Sequence, residues 1–276
     1  MTRLHDLGPA DAAPSVPTGT EELRTAAPEI FVGDIPFGFD VGDDGVHMAG
    51  DATITDALRS PGSGLPRPSV LATIADCMAG IPACMVTAPQ LAVTLDIAVR
   101  ITAAHCGDRL VLDGEIVKQG RSTVAAEVRF SDARTNALVA TSYVTFMGSP
   151  RPQDQAPLLL RGMRTTGSMA IPLPDYVGIR TPSPGIAEMD LTPFVMQASS
   201  SLQGGAVALL GEVASETLTL STVLDLDVRY LSAVRVGPGR ATASALGADH
   251  VRIEVRDQGS ADRLAALIVT RVAPAP

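Results

Sequence analysis

Apolar and polar residues alternate along eight short segments of the chain, in two groups of four, and a longer apolar segment precedes each group. Alternation predicts half-buried β-strands, and the longer segments SVLATIADCMAGIPACM and AVALLGEVASE predict helices. The strand segments are QLAVTLDIAVRIT, RLVLDGEIVKQG, STVAAEVRFSD and ALVATSYVTFM, then TLSTVLDLDVRYLSAV, GRATASALGA, HVRIEVRDQG and RLAALIVTRVA. Because the turns are short, we expect antiparallel pairing. The pattern predicts an α+β protein of two units, each a helix on a curved sheet.

The two halves also share landmarks at one spacing. Arg67 and Gln203 each stand nine residues before a carboxylate in the predicted helix, Asp76 in the first half and Glu212 in the second. Both pairs of landmarks are therefore 136 residues apart. Sequence identity between the halves is low, so the shared order of elements and the matching apolar pattern indicate an internal duplication.

Segments rich in proline and polar residues interrupt the alternating pattern, and they predict where the units begin and end. We expect a poorly ordered, Pro/Ala-rich leader over 1–30, a first domain over 31–149, a linker over 150–172 and a second domain over 173–276. A chain of 276 residues is long enough for two domains that each bury a core.

Composition narrows the classes of function. A net charge of -9 argues against nucleic acid as a partner, since binding it requires a face rich in Lys and Arg. The three cysteines show no metal-type spacing, so neither a disulfide framework nor a metal site is expected. The beginning of the chain lacks the apolar core of a signal peptide, and we expect no apolar run long enough to span a bilayer. These features predict a cytoplasmic protein without a membrane partner.

Two features carry candidate chemistry. Gly204 and Gly205 open the second helix, where glycine is costly, so the pair indicates that something must reach the backbone N–H groups. Asp76 lies on an otherwise apolar helix, where burial raises the pKa of a carboxyl toward that of a useful general base. The alternatives are a glycine-rich loop end and a polar residue at the edge of a core.

The order of elements resembles the hotdog fold, and TIADCMAG with the hairpin VKQGRS resembles the phenylacetate-type acyl-CoA thioesterases. The resemblance covers about 36–147 and 175–272. In that family His-Gly-Gly precedes the helix, with a catalytic Asp or Glu nine residues after the His. Each site lies between two units, which contribute the glycine N–H and the carboxylate respectively. The resemblance implies that this duplicated chain forms its dimer internally and contains two pseudo-equivalent sites.

For the site between Gly204 and Asp76, the resemblance implies thioester hydrolysis. Asp76 would activate water as a general base or attack the thioester directly, and the Gly204 N–H would polarise the carbonyl. Thr94, eighteen residues after Asp76, would orient the water. Gln203, in place of the family's His, and Gln197 would shape the acyl end.

The other site is expected to be degenerate. Pro68 stands at the position of Gly204, and proline has no N–H to donate. If Asp225 is equivalent to Asp96, Val223 replaces Thr94; Pro61 likewise replaces Gln197. Glu212 is then an unemployed or structural carboxylate.

The hairpin VKQGRS corresponds to the family segment that lies along coenzyme A. The resemblance implies phosphate binding by Lys118, Gly120, Arg121 and Ser122, whereas the alternative is a solvated hairpin tip. We therefore expect an acyl-CoA thioesterase that needs no cofactor beyond its substrate. Because hotdog dimers often stack into larger assemblies, the resemblance also implies that two double-hotdog chains can pair as a homodimer. The alternatives are a non-catalytic acyl-CoA or lipid-binding hotdog protein and a hotdog dehydratase or hydratase, whose Asp-to-His spacing is not found near the helix.

Overall fold

The computed structural model describes residues 30–149, 161–197 and 199–274. The helices are α1 (Pro68–Thr87), α2 (Leu173–Tyr176) and α3 (Gly204–Thr219), and short 3₁₀ turns occupy Phe31–Asp34, Asp56–Leu58 and Pro193–Val195. The strands are β1 (Phe37–Val41), β2 (His47–Thr53), β3 (Ala92–Ile101), β4 (Arg109–Gln119), β5 (Thr123–Asp132), β6 (Leu138–Gly148), β7 (Gly162–Arg164), β8 (Arg180–Ser183), β9 (Ile186–Met189), β10 (Met196–Gln197), β11 (Ser201–Leu202), β12 (Val223–Tyr230), β13 (Gly239–Ala245), β14 (His250–Asp257) and β15 (Arg263–Val272).

Thirteen strands form one open antiparallel sheet that runs through both halves. Its order is β7-β1-β2-β4-β5-β6-β3-β12-β15-β14-β13-β9-β8. The halves join where β3 pairs with β12, with Ala98 opposite Asp227. Helix α1 packs on the first half's strands, α3 packs on the second half's, and the two helices contact each other. The predicted fold class, two helix-on-sheet units packed as an internal pseudo-dimer, is confirmed.

The eight predicted strand segments are β3 to β6 and β12 to β15, and their antiparallel pairing is as expected. The hairpins β1–β2 and β8–β9, which precede the long helices, were not among the predicted segments. Their alternation is shorter and is interrupted by glycine and proline, so the periodic signal is weak.

The segment between the halves contains more structure than a linker. Within the predicted linker, β7 pairs with β1 and extends the first half's sheet at its edge. Gly162 lies opposite Asp40 in this pairing. The predicted leader, apart from residue 30, and residues 150–160 of the linker lie outside the described residues.

Matching irregularities in the two central strands define which residues are equivalent. The pairing of β3 with β6 shifts at Leu95, and that of β12 with β15 shifts at Leu224, 129 residues later. Equivalent strand positions are therefore 129 residues apart, whereas equivalent helix positions are 136 apart. The same spacing of 129 makes Asp225 equivalent to Asp96 and Val223 equivalent to Thr94.

Helix α1 corrects one expectation from the sequence. The helix has 20 residues, and an 18-residue window within it has a mean hydropathy of 1.7, so by length and composition alone it is long and apolar enough to cross a membrane. We expected no such run. In the structure 61% of that apolar window is buried, as is typical of the core helix of a globular domain.

Candidate functional site

Asp76 lies on the third turn of α1 and contacts Thr94 of the neighbouring strand β3. The Thr94 hydroxyl donates a hydrogen bond of 2.7 Å to Asp76 Oδ1. Burial raises the pKa of Asp76 to about 6, and the hydrogen bond from Thr94 opposes the increase. Asp76 as a whole residue is half-buried. A carboxylate with this pKa is ionised at neutral pH and is basic enough to accept a proton from water.

Gly204, the first residue of α3, lies next to this carboxylate although it belongs to the other half. A side chain at position 204 would begin 3.5 Å from Asp76 Oδ2 and 3.2 Å from the Tyr230 hydroxyl. The predicted composite pair is thus brought together across the pseudo-dimer.

At Gly205, glycine is required because the helix packs closely against α1. A Cβ at Gly205 would stand 1.9 Å from Thr73 Oγ1 on α1. Any larger residue would push the two helices apart, so Gly205 permits their close approach.

The N-terminus of α3 presents free donors near Asp76. Gln203 is the N-cap, and its side-chain carbonyl accepts a hydrogen bond of 3.1 Å from the Ala206 N–H. Within the described part of the chain, neither the Gly204 N–H nor the Gly205 N–H makes a hydrogen bond. Two backbone N–H groups at the positive end of a helix are suited to hold a developing negative charge.

The two glutamines are held by other contacts. The Gln203 carbonyl is committed to the helix cap. Gln197 is exposed on β10, and its amide donates to Ser201 Oγ at 2.9 Å. That either residue shapes an acyl end stays a prediction.

Tyr230 is a residue of this site that the sequence did not reveal. Its hydroxyl donates to the Gly204 carbonyl at 2.8 Å. Burial, and then the charge of Asp76, raises the pKa of Tyr230 well above its usual range, so the hydroxyl stays protonated. The helix spacing of 136 matches Tyr230 with Thr94, and only the strand spacing of 129 shows that its equivalent is Ile101.

The second site contains a buried ion cluster. Glu212 is fully buried, and its Oε1 accepts a hydrogen bond of 2.8 Å from the guanidinium of Arg67. Its Oε2 accepts from the Ser69 N–H at 2.9 Å. The same Arg67 nitrogen contacts Glu216 at 3.0 Å, and burial together with the charge of Glu212 raises the pKa of Glu216 to about 7. Both oxygens of Glu212 are thus engaged by groups of the first half, and that Glu212 has only a structural role stays a prediction.

Three further residues distinguish the second site from the first, namely Pro68, Val223 and Pro61. Pro68 is the first residue of α1 and offers no N–H. Val223 is fully buried where the first site has Thr94. Pro61 accepts a hydrogen bond of 3.5 Å at its carbonyl from the Thr222 hydroxyl.

The hairpin between β4 and β5 lies at the same end of the sheet as Thr94. The strand pairings place Gln119, Val124, Phe146 and Thr94 in one row across four neighbouring strands. Three strand spacings put the hairpin about 14 Å from Thr94. Lys118, Gly120, Arg121 and Ser122 are all exposed, and neither cation forms an ion pair with another described residue.

Two surface cavities lie away from Asp76. One, of about 180 Å³, is lined by His47, Asp113, Gly114, Glu115, Glu127 and Arg129, and the other, of about 350 Å³, includes Thr55 and Ile171. The candidate site is therefore defined by converging polar groups and not by these cavities.

Among the described residues, no group of three or more His, Cys, Asp or Glu side chains could hold a metal ion. Burial raises the pKa of each cysteine thiol, Cys77, Cys84 and Cys106.

Comparison with known proteins finds likeness in structure only. No protein-family model matches the chain, and no curated protein sequence matches it. An acyl-ACP thioesterase from Bacteroides thetaiotaomicron superposes with a TM-score of 0.57 at 10% identity, covering 82% of this chain and 98% of that one. The 12:0-ACP thioesterase from Umbellularia californica superposes with a TM-score of 0.57 at 10% sequence identity, covering 83% of this chain and 98% of that one. A proposed oleoyl thioesterase from Lactobacillus plantarum superposes with a TM-score of 0.57 at 16% sequence identity, covering 89% of this chain and 99% of that one.

These superpositions extend over nearly the whole length of each thioesterase, so they match both halves of the chain and not one unit alone. By fold, this protein is a double hotdog of the kind found in acyl thioesterases.

Proposed function

We propose that the protein hydrolyses an acyl-CoA thioester at one composite site between its halves. The ionised Asp76 takes a proton from water as the water attacks the thioester carbonyl, and it returns that proton to the departing sulfur. Alternatively, Asp76 attacks the carbonyl itself and expels the thiolate, which takes a proton from solvent, and water then hydrolyses the acyl anhydride formed on Asp76. The Gly204 N–H stabilises the oxyanion that forms, and the coenzyme leaves as its thiol. The observation that carries the proposal is the carboxylate of one half lying beside the free helix N-terminus of the other.

The asymmetry between the two sites supports hydrolysis at one of them only. The first site has Thr94 on the carboxylate and a glycine at the helix start, whereas the second has Val223 and Pro68. In the second site the carboxylate of Glu212 is neutralised by Arg67 and hydrogen-bonded to Ser69. A carboxylate that is fully buried and paired with a guanidinium is not available to water.

The pH dependence of hydrolysis should follow Asp76. Both routes need the ionised carboxylate, so we expect kcat/KM to rise with pH and level off above a midpoint at about 6. The Thr94→Val variant loses the hydrogen bond that stabilises the charged form, so its midpoint should lie at higher pH than that of the wild type. The pH profiles of both proteins, measured side by side, check this. A flat wild-type profile between about pH 5 and 8 would exclude Asp76 as the group that ionises.

The hairpin should contribute to binding of the coenzyme A phosphates. Lys118, the single lysine of the chain, and Arg121 have no carboxylate partner among the described residues, so both are free to pair with a phosphate. In the double Lys118→Ala, Arg121→Ala variant we expect KM for acyl-CoA to rise about tenfold, the equivalent of about 1.4 kcal/mol. With the matching acyl-N-acetylcysteamine, which has no phosphate, KM should not change. An equal effect on both substrates would argue against phosphate binding.

The test of the proposal is a panel of acyl thioesters with free thiol as the readout. The panel contains short, long and aromatic acyl groups on coenzyme A, and the same acyl groups on an acyl carrier protein. Release of thiol from at least one acyl-CoA, well above the uncatalysed rate, is expected. Tight acyl-CoA binding without release of thiol would instead support the alternative, a non-catalytic acyl-CoA or lipid-binding hotdog protein.

The cytoplasmic location that the sequence predicts is not tested by the structure and stays a prediction.

A further inference from the structure

The peptide group between Gly204 and Gly205 accepts a hydrogen bond from a side chain of the neighbouring strand β12. Tyr230, the last residue of β12, donates its hydroxyl proton to the Gly204 carbonyl at 2.8 Å. That carbonyl and the Gly205 N–H belong to the same planar peptide group. A hydrogen bond on the carbonyl therefore fixes the direction of the Gly205 N–H, and it polarises this N–H as a donor.

The second half of the pseudo-dimer indicates where this N–H points. Ser69 is the equivalent of Gly205, 136 residues earlier, and its N–H donates to Glu212 Oε2 at 2.9 Å. Glu212 is the equivalent of Asp76. In this fold, the N–H of the second helical residue is thus directed at the carboxylate of the opposite helix.

The shorter carboxylate leaves this donor unused in the first site. Aspartate is one methylene shorter than glutamate, and in the described structure Asp76 makes no hydrogen bond to the Gly205 N–H. The free N–H and the carboxylate therefore face each other without contact. Such a gap is where a reacting carbonyl oxygen would have to lie in order to meet both groups.

We propose that Tyr230 is a positioning residue that orients the Gly204–Gly205 peptide, so that the Gly205 N–H acts with the Gly204 N–H as a two-donor oxyanion site. The inference rests on the proposed hydrolysis and extends it by a second donor and by the side chain that aims it. The degenerate site has Ile101 at the position of Tyr230, and isoleucine cannot hold a carbonyl.

The test is the Tyr230→Phe variant, which removes one oxygen atom and leaves the ring in place. The control is Tyr143→Phe, which removes the same atom from an exposed tyrosine on β6. We expect kcat of Tyr230→Phe to fall about 10- to 100-fold, with KM nearly unchanged, because the contact acts on the transition state. An acyl-CoA trifluoromethyl ketone, which mimics the tetrahedral oxyanion, should bind more weakly by a similar factor. A non-hydrolysable thioether analogue should bind as before. The control should match the wild type in all three measurements.

A second readout separates this inference from the proposed function. With ¹⁵N-glycine labelling, the Gly205 amide resonance should move in Tyr230→Phe and stay in place in Tyr143→Phe, whether or not the protein hydrolyses any thioester. An unmoved Gly205 resonance overturns the inference. It is equally overturned if Tyr230→Phe, folded as judged by its melting temperature, keeps wild-type kcat and wild-type affinity for the ketone. Failure of the wild type to hydrolyse any thioester would instead count against the proposed function, with the resonance still deciding how the peptide is held.

Discussion

Replacement of Asp76 by asparagine is expected to abolish thioester hydrolysis and at the same time to stabilise the protein. Asparagine keeps an oxygen that can accept from Thr94, but it can neither take a proton from water nor attack a carbonyl. Loss of a general base lowers rates by about 10²- to 10⁴-fold, so thiol release should fall by at least about 10²-fold.

The gain in stability follows from the pKa. Burial raises the pKa of Asp76 from 3.8 to about 6, so its ionisation weakens the folded state progressively as the pH rises through that range. Above it, the full cost is present, at about 1.4 kcal/mol for each pKa unit. Removing the charge should therefore raise the unfolding free energy at neutral pH by about 1–3 kcal/mol, measured by urea denaturation.

The matched control is Glu212→Gln, the same chemical change at the equivalent position of the other half. Glu212 is fully buried and accepts from both Arg67 and Ser69, so we expect a loss of about 1–3 kcal/mol of stability. The kcat of the folded protein should be unchanged. A Glu212→Gln variant that loses as much activity as Asp76→Asn would contradict a single working site.

The second large effect is expected at Arg67, the cation of the buried cluster. Arg67→Met leaves the carboxylate of Glu212 buried without a cation, next to the partly buried Glu216. Removing one partner of a buried ion pair costs about 3–5 kcal/mol. We expect a loss of this size in denaturant unfolding. The loss should shrink at acidic pH, because Glu216, whose pKa burial and the charge of Glu212 raise to about 7, is then protonated and no longer repels Glu212.

The double variant Arg67→Met, Glu212→Gln distinguishes charge from packing. Its glutamine can still accept from the Ser69 N–H, and no charge is left without a partner at the most buried position. Replacing both members of a buried pair is often neutral, so the double variant should recover most of the stability lost by Arg67→Met. If the double variant is less stable than Arg67→Met alone, the cluster contributes mainly through shape.

The periodicity of apolar residues and the internal duplication predicted much of the fold, because both can be recognised from the positions of apolar residues along the chain. The main strands and the two long helices follow from alternation and from apolar runs. The hairpin β1–β2 did not, since its strands contain glycine at positions 38 and 50, and at Gly50 a side chain would stand against the main chain of β1.

The candidate site was predictable where it depends on residue type at a fixed spacing. Asp76, Gly204 and Thr94 are such residues, and the structure brings them together. The cluster of Arg67 with Glu212 and the contact of Tyr230 with Gly204 were not predictable in this way. They join residues 145 and 26 positions apart through tertiary packing, and no local pattern records that proximity.

The most direct test of a composite site, in which a free amide hydrogen of one half lies beside the carboxylate of the other, is the kcat of Gly204→Pro measured against that of Gly204→Ala. Both variants add a side chain beside Asp76, but only proline removes the N–H. The helix accepts proline here, since Pro68 is the first residue of α1 and the preceding residues Arg67 and Gln203 are both extended, with ψ of 132° and 144°. We expect kcat of Gly204→Pro to lie about 10²- to 10³-fold below that of Gly204→Ala. Equal kcat values in the two folded variants would contradict the account, because the Gly204 N–H would then play no part in hydrolysis.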